Sequence, residues 1–321
     1  MTYESSIPTT PPMTAARVHA FGDINAIVVE KIDRPIPAEG EVLVRVQAAG
    51  VGPWDGWIRA GKSVLPQPLP LTLGSDIAGV VEAAGPGVKD FQTGDAVFGV
   101  TNPQFTGGYA EYAVASANMI ALRPASLEAV EAAALPVAAV TAWQALFDQA
   151  KVDPADVVVV HGGAGAVGAY AVQFAKQAGA MVIATAGARD RGFVESLGAD
   201  RFVDYRSERF EDVAANVDVV IDLVGGATQD RSFAVLKAGG VLISAVSQPD
   251  QNLAKVHGVR AAFFLVEVTK TELEALATLI GERKLSVDVG LVLPLSEARR
   301  AHEMLEGRSA KPRGKIVLTV S

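Results

Sequence analysis

The chain has 321 residues, half of them hydrophobic and a fifth charged, with a formal net charge of -8 and no cysteine. That length suits two domains, and the apolar content argues against general disorder. An acidic balance without a dense Lys/Arg block argues against nucleic acid or an anionic membrane as the main partner. The missing cysteines remove disulfides, thiol nucleophiles and cysteine-ligated zinc, and fit a reducing cytoplasm.

Residues 1–12 are polar and carry three prolines, so a disordered tail is expected, with the fold beginning near Met13. No apolar run is long enough to span a bilayer. From Ala15 to Pro124 short β segments alternate with Gly- and Pro-rich turns, at 17–21, 26–30, 42–47, 77–82, 96–100, 109–114 and 119–122. Many short strands at close spacing suggest a small barrel or sandwich.

At Ser126 the period changes. Residues 126–135 offer an N-cap serine, early acids and helix formers, and 141–147 continue in helical style beyond Pro136. Then Val157 to Val160 form a run of four valines with no polar alternate, which fits a strand buried on both faces. Gly163, Gly165 and Gly168 follow with G-x-G-x-x-G spacing, and a helix begins near Val167. A tight turn, bare backbone for a pyrophosphate, and close helix–strand packing each call for one glycine. The N–H groups around Ala166 and Val167 would face that pyrophosphate at the positive end of the helix. Further strands at 181–185, 201–205, 217–224, 240–246 and 259–266 bring the total to six, the number in a doubly wound dinucleotide domain. Helical segments at 272–282 and 296–306 precede a strand at 315–320 with no helix after it, which is expected to return to the first domain's sheet.

The order of these motifs resembles the medium-chain dehydrogenase/reductase superfamily, in its zinc-free branch of quinone oxidoreductases related to zeta-crystallin. The likeness rests on residues 48–55 (AAGVGPWD), 73–81 (LGSDIAGVV), 94–98 (GDAVF), 107–112 (GGYAEY), 139–143 (AVTAW), the glycine loop, and 314–318 (GKIVL). It implies an α/β protein with two parts. A GroES-like β-barrel domain would comprise residues 13–136 and 285–321. A Rossmann domain with a doubly wound parallel six-stranded sheet would comprise residues 137–284. The nicotinamide would lie in the cleft between them.

Zinc alcohol dehydrogenases of the superfamily place a metal-binding Cys where this chain has Gly52, and Gly-His-Glu where it has Gly74-Ser75-Asp76. The four histidines are widely separated, so no zinc site is expected. Asp55 and Asp76 are expected in solvated or turn-capping roles.

An NAD site puts a carboxylate at the tip of the second strand; here the tip is Thr185-Ala186-Gly187, followed by Arg189 and Arg191. An arginine fork suits a 2'-phosphate, although both arginines also suit a solvated helix start, and Asp190 could serve as a displaced ribose acid. Tyr205 sits where the resembled reductases border the adenosine phosphate. NADPH is therefore expected over NADH. Thr141, Val224, Ser244, Ala245, Val246, Phe263, Phe264, Arg313 and Lys315 are further cofactor contacts by position, with core, capping or solvated roles as their plain readings. The apolar run 261–266 is an edge strand in this topology, and a homodimer pairing these strands is expected.

The resembled reductases often carry Asn where Gly52 stands and Tyr where Trp57 stands. The donors left for catalysis are the indoles of Trp54 and Trp57, the Tyr109 hydroxyl and backbone N–H groups; packing in the barrel is the plain reading of the tryptophans. A site so poor in acids suits an acceptor that delocalises the incoming charge, namely a quinone or α,β-unsaturated carbonyl, with protons from water. The alternatives are an NADPH-binding sensor or structural protein with little turnover, and an NADH-preferring enone reductase. None of the five tyrosines has Lys four residues later, which excludes the Tyr-x-x-x-Lys pair of short-chain dehydrogenases.

Overall fold

The computed structural model describes residues 11–320, so the expected disordered tail falls, for residues 1–10, outside the described residues. Three sheets organise the chain. Ile27–Ile32, Met13–Val18 and Leu71–Thr72 make a small antiparallel sheet in that order. The largest sheet runs Val289–Pro294, Lys315–Thr319, Glu41–Val51, Asp76–Ala84, Ala96–Val100, Ile120–Leu122, and Tyr112–Ser116 also pairs with Glu41–Val51. The strand expected to return does so: Ile316 to Thr319 pair antiparallel with Val51 to Ala48.

The third sheet is wholly parallel and six-stranded. Its order is Arg201–Asp204, Met181–Ala186, Val157–His161, Val217–Asp222, Leu236–Ser244, Arg260–Phe263. Relative to the chain this is 3-2-1-4-5-6, the doubly wound order, whose direction reverses beside the first strand. Val158, Val159 and Val160 are fully buried, as a central strand covered on both faces requires. The GroES-like and Rossmann architecture is thus the one read from the sequence.

Element boundaries moved where capping competed with pattern. The helix expected from Ser126 is a single turn, Ala129–Ala132, headed by Glu128, whose N–H donates to the Glu131 carboxylate at 3.1 Å. Pro136 then opens the helix Pro136–Trp143, because it lacks the N–H that a first helical position leaves unused. That helix continues as a π-helical turn, Gln144–Ala150. It lies in a core that is continuous from the barrel (Phe98, Val100, Ala121) to the parallel sheet (Val160, Ile221). Among the described residues no helix is long and apolar enough to cross a membrane.

Candidate active site

The glycine loop joins the strand Val157–His161 to the helix Ala166–Gln177. The tight turn falls on Gly162, at φ +75°, one residue before the glycine that the spacing singled out. Gly163 instead packs against the sheet, where an added Cβ would meet the Ala184 Cβ at 2.9 Å. Gly168 is the closest approach: a Cβ there would lie 2.1 Å from the Gly162 carbonyl oxygen. Gly165 heads the helix and is exposed, with no side-chain cap, and the Ala169 N–H is bonded back to its carbonyl. The N–H groups of Ala166, Val167 and Gly168 precede the first intrahelical bond and form the positive end of a twelve-residue helix. Bare backbone, a positive-φ turn and an uncapped start fit a pyrophosphate.

Register aligns one residue from each strand along the carboxyl ends: Thr185 opposite His161, then Asp222, Ser244 and Phe263. Several of these residues serve the scaffold. The Thr185 hydroxyl lies 3.2 Å from His161 Nδ1 and accepts from the Gly162 N–H at 3.3 Å, and the residue is buried. Ser244 is fully buried; its hydroxyl donates to Asp222 at 2.9 Å and accepts from the N–H groups of Val246 and Ser247. Both hydroxyls thus hold loops at the strand ends, which leaves the backbone there to offer contacts. The Thr141 hydroxyl donates to the Val137 carbonyl at 2.6 Å inside its helix, and is not a cap. Val224 and Val246 remain exposed, and Ala245, Phe263 and Phe264 half-buried, at the crevice end of the sheet.

Asp222 organises this end and escaped the sequence reading. Fully buried, it accepts from the N–H groups of Val224 (3.1 Å) and Gly225 (2.8 Å), from Gln229 (2.8 Å) and from Ser244. A lone acid closing an apolar strand was its only signal. His161, also missed, bridges Thr185 and the Ser232 hydroxyl (2.9 Å), and burial pushes its imidazole down to about 4.

Beyond the tip of the second parallel strand, Arg191 is held by Glu195 and Glu208 and stacks over Phe202, at 4.3 Å from the ring centroid. Arg189 is exposed and pairs with Asp190 at 3.4 Å. Tyr205 is 59% exposed and stands beside Gly187 at the tip of the second strand. Arg206, which the sequence reading passed over, lays its guanidinium 5.6 Å from the Tyr205 ring centroid. Asp204 is unavailable to a ribose, since it accepts from the Arg206 N–H and the Ser207 hydroxyl.

In the GroES-like part, the two tryptophans put forward as donors lie on the short helix Pro53–Arg59. Trp57 is 49% exposed. Trp54 is half-buried against both cores, with its indole N–H donating to the Ser75 hydroxyl at 3.2 Å. Tyr109, one of the candidate donors, is fully buried and its hydroxyl donates to Asp55 at 2.9 Å. Asp55 is buried too; it accepts from the Gly52 N–H at 2.8 Å, and burial pushes its carboxyl up to about 7. Asp76 pairs with Lys315 at 2.8 Å, both buried, and burial raises its carboxyl. Asp55 caps its turn, as expected, whereas Asp76 is neither solvated nor a turn cap but the buried partner of Lys315. Lys315 lines a crevice with Gly165, Ala166 and Gly314, but its ammonium faces Asp76 and the Trp54 ring, at 4.4 Å from the centroid. Arg313 is tied to Asp288 at 3.0 Å and stacks over Phe193.

Comparison with known proteins agrees with this architecture. Residues 38–125 match the family model described as "Alcohol dehydrogenase GroES-like domain", and residues 197–318 match "Zinc-binding dehydrogenase". A "Quinone oxidoreductase" from Sus scrofa is 32% identical, covering 95% of this chain and 97% of its own. A "Probable zinc-binding oxidoreductase, mitochondrial" from Arthroderma benhamiae is 34% identical over 97% of this chain and 98% of its own. The solved quinone oxidoreductase from Coxiella burnetii superimposes with a TM-score of 0.90 at 36% identity, covering 97% of this chain and 100% of that one.

The second family model and the second relative carry zinc in their names, so the donor set decides whether a metal fits. At Gly52 there is no side chain, Ser75 accepts from Trp54, and Asp76 is bound to Lys315. No group of three or more His, Cys, Asp or Glu side chains able to hold a metal ion occurs among the described residues. The residues present do not fit zinc. With a GroES-like sheet, a 3-2-1-4-5-6 parallel sheet and near-full-length relatives, the chain belongs to the medium-chain dehydrogenase/reductase family and is an oxidoreductase related to quinone oxidoreductases.

Proposed function

We propose that this protein binds NADPH and reduces quinones or α,β-unsaturated carbonyls by hydride transfer without zinc. The observation that carries the reading is the barrel wall of the cleft. There the Trp54 indole lies over the Lys315–Asp76 ion pair, Trp57 is exposed, the Tyr109 phenol is buried on Asp55, and among the described residues no metal donor set is present. Reduction of a simple ketone would leave an alkoxide without a strong acid or metal to receive it. A conjugated acceptor spreads that charge over its own system and suits flat aromatic walls.

The backbone of Ala166, Val167 and Gly168 holds the pyrophosphate, and Tyr205 with Arg206 and Arg189 borders the 2'-phosphate. This preference for NADPH is supported by Asp204 being engaged already, by the Arg206 N–H and the Ser207 hydroxyl. Bound NADPH supplies the hydride. The chain's own residues orient the acceptor between Trp54 and Trp57, and water supplies the proton. Two copies pair through the edge strand Arg260–Phe263, next to which Leu265 is 58% exposed; a monomer by light scattering would refute that pairing. A reducing cytoplasm is consistent with the absence of cysteine.

NADPH consumption against a panel of benzoquinones, naphthoquinones, enones, ketones and alcohols tests the assignment. Turnover of quinones or enones with a higher kcat/KM for NADPH than for NADH is expected. Efficient oxidation of simple alcohols with no quinone or enone turnover overturns it.

A further inference from the structure

Three groups meet where zinc-binding relatives place their metal ligands. A Cβ built on Gly52 would lie 2.3–2.4 Å from three ring atoms of Trp54, so the indole already fills the space above that residue. The same indole binds through its N–H to Ser75, which stands at the position of the missing histidine. Beneath the ring lies the Lys315 ammonium, 4.4 Å from the centroid and 2.8 Å from Asp76. The other Asp76 oxygen accepts from the Val137 N–H at 3.1 Å. Both carboxylate oxygens are thereby held, and the ammonium is fixed against the face of the indole.

We propose that Trp54 and Lys315 together stand in for the metal: the indole occupies its volume, and the ammonium supplies a fixed positive charge under the acceptor. Lys315 is only 4% exposed, so it acts through the ring rather than by touching substrate, as a positioning residue. A charge already in place in a dry site stabilises negative charge appearing on the acceptor without reorganisation. Gly52 is the residue that admits this arrangement, since any side chain there displaces the indole. The role of Lys315 rests on the hydride-transfer reading above; the filling of the metal volume does not.

Two experiments test the two halves. Lys315→Met combined with Asp76→Asn removes the pair without leaving a buried charge unpaired. The expected result is a kcat for an enone, whose charge collects on one oxygen, that falls about tenfold more than the kcat for a benzoquinone. Lys315→Arg alone is expected to keep the parent ratio. A purely structural defect would lower both rates together, so an unchanged enone-to-quinone ratio in the double variant overturns the role of Lys315. Cobalt(II) reports on the other half through its thiolate charge-transfer absorbance. Gly52→Cys with Ser75→His is expected to bind it poorly, and the same pair with Trp54→Ala to bind one ion per chain. Equal uptake by these two variants, whether both bind or neither does, overturns the filling of the volume by Trp54. A protein inactive with every acceptor would sink the hydride-transfer reading and leave the cobalt result standing.

Discussion

A graded series of Gly→Ala substitutions around the cofactor loop separates packing from backbone entropy. At Gly168 the new methyl would sit 2.1 Å from the Gly162 oxygen, 2.8 Å from its carbonyl carbon and 2.9 Å from the Gly163 Cα. All three are backbone, so no side chain can swing aside; reaching ordinary contact at 3.4 Å needs a displacement of about 1.3 Å. Overpacking of this kind costs about 1–3 kcal/mol, against a helix gain for alanine of about 0.5–1 kcal/mol. A net loss of about 1–2 kcal/mol lowers Tm by roughly 1.5–3 °C in a chain of this size. The displaced backbone is the phosphate-facing loop itself, so NADPH affinity is expected to fall at least about tenfold. At Gly165 the contact is 3.1 Å, and a smaller effect of the same sign is expected. At Gly192, in the helix Arg191–Ser196, nothing lies within 4 Å, and alanine should raise Tm by roughly 1 °C with cofactor binding unchanged. Thermal denaturation and NADPH titration on the three variants give the answer. A Gly168→Ala protein that melts with the parent and binds NADPH as tightly refutes the reasoning.

Arg206→Ala is expected to raise the KM for NADPH about tenfold and leave NADH unaffected, while Arg191→Ala, whose guanidinium is already held by two carboxylates, changes little. Steady-state kinetics with both nucleotides decides, and a reversed ranking of the two arginines counts against the proposed 2'-phosphate contact. His161 and His302 are both lowered to about 4 by burial, whereas an unfolded chain binds those protons near 6.5. Their contribution is complete above pH 6.5 and is lost as pH falls toward 4, by up to about 3 kcal/mol each. Asp55, raised to about 7 from 3.8 by burial, has the opposite sign: its contribution is complete below pH 3.8 and is lost as pH rises toward 7. Urea midpoints of His161→Gln across pH 4–7 should show about one proton fewer taken up on unfolding than the parent; an unchanged pH slope removes His161 from that balance.

The sequence was most legible where one physical demand dominated. Four adjacent valines have no use except a strand covered on both faces, and the strand that closes the barrel sheet had no helix after it to hold it in the parallel layer. Spacing alone assigned the sharp turn to Gly163, because G-x-G-x-x-G does not tell φ +75° at Gly162 from tight packing one residue later. Polar residues at strand ends were the least legible. Thr185, Ser244 and Asp222 stand at the carboxyl ends of the parallel strands, and each is claimed by backbone N–H groups or buried side chains that only the folded register brings near. Tyr109 shows the same limit: its partner Asp55 is 54 residues away, and nothing local marks that hydroxyl as already satisfied. Lys315, read as a phosphate contact, lies under an indole because Asp76, 239 residues earlier, pulls it there.

The pairing of Ala48–Val51 with Ile316–Thr319 also has a consequence for synthesis. The ribosome makes the first of these segments and then some 260 further residues before the second emerges. At bacterial to eukaryotic elongation rates that interval lasts about 13–50 s. Throughout it, an almost entirely apolar strand presents one open edge, while the parallel sheet, with all six of its strands between residues 157 and 263, can already close. The nascent chain therefore completes its nucleotide half first and carries an unfinished barrel behind it. The risk of edge-to-edge association is set by the speed of translation as much as by the stability of the finished molecule.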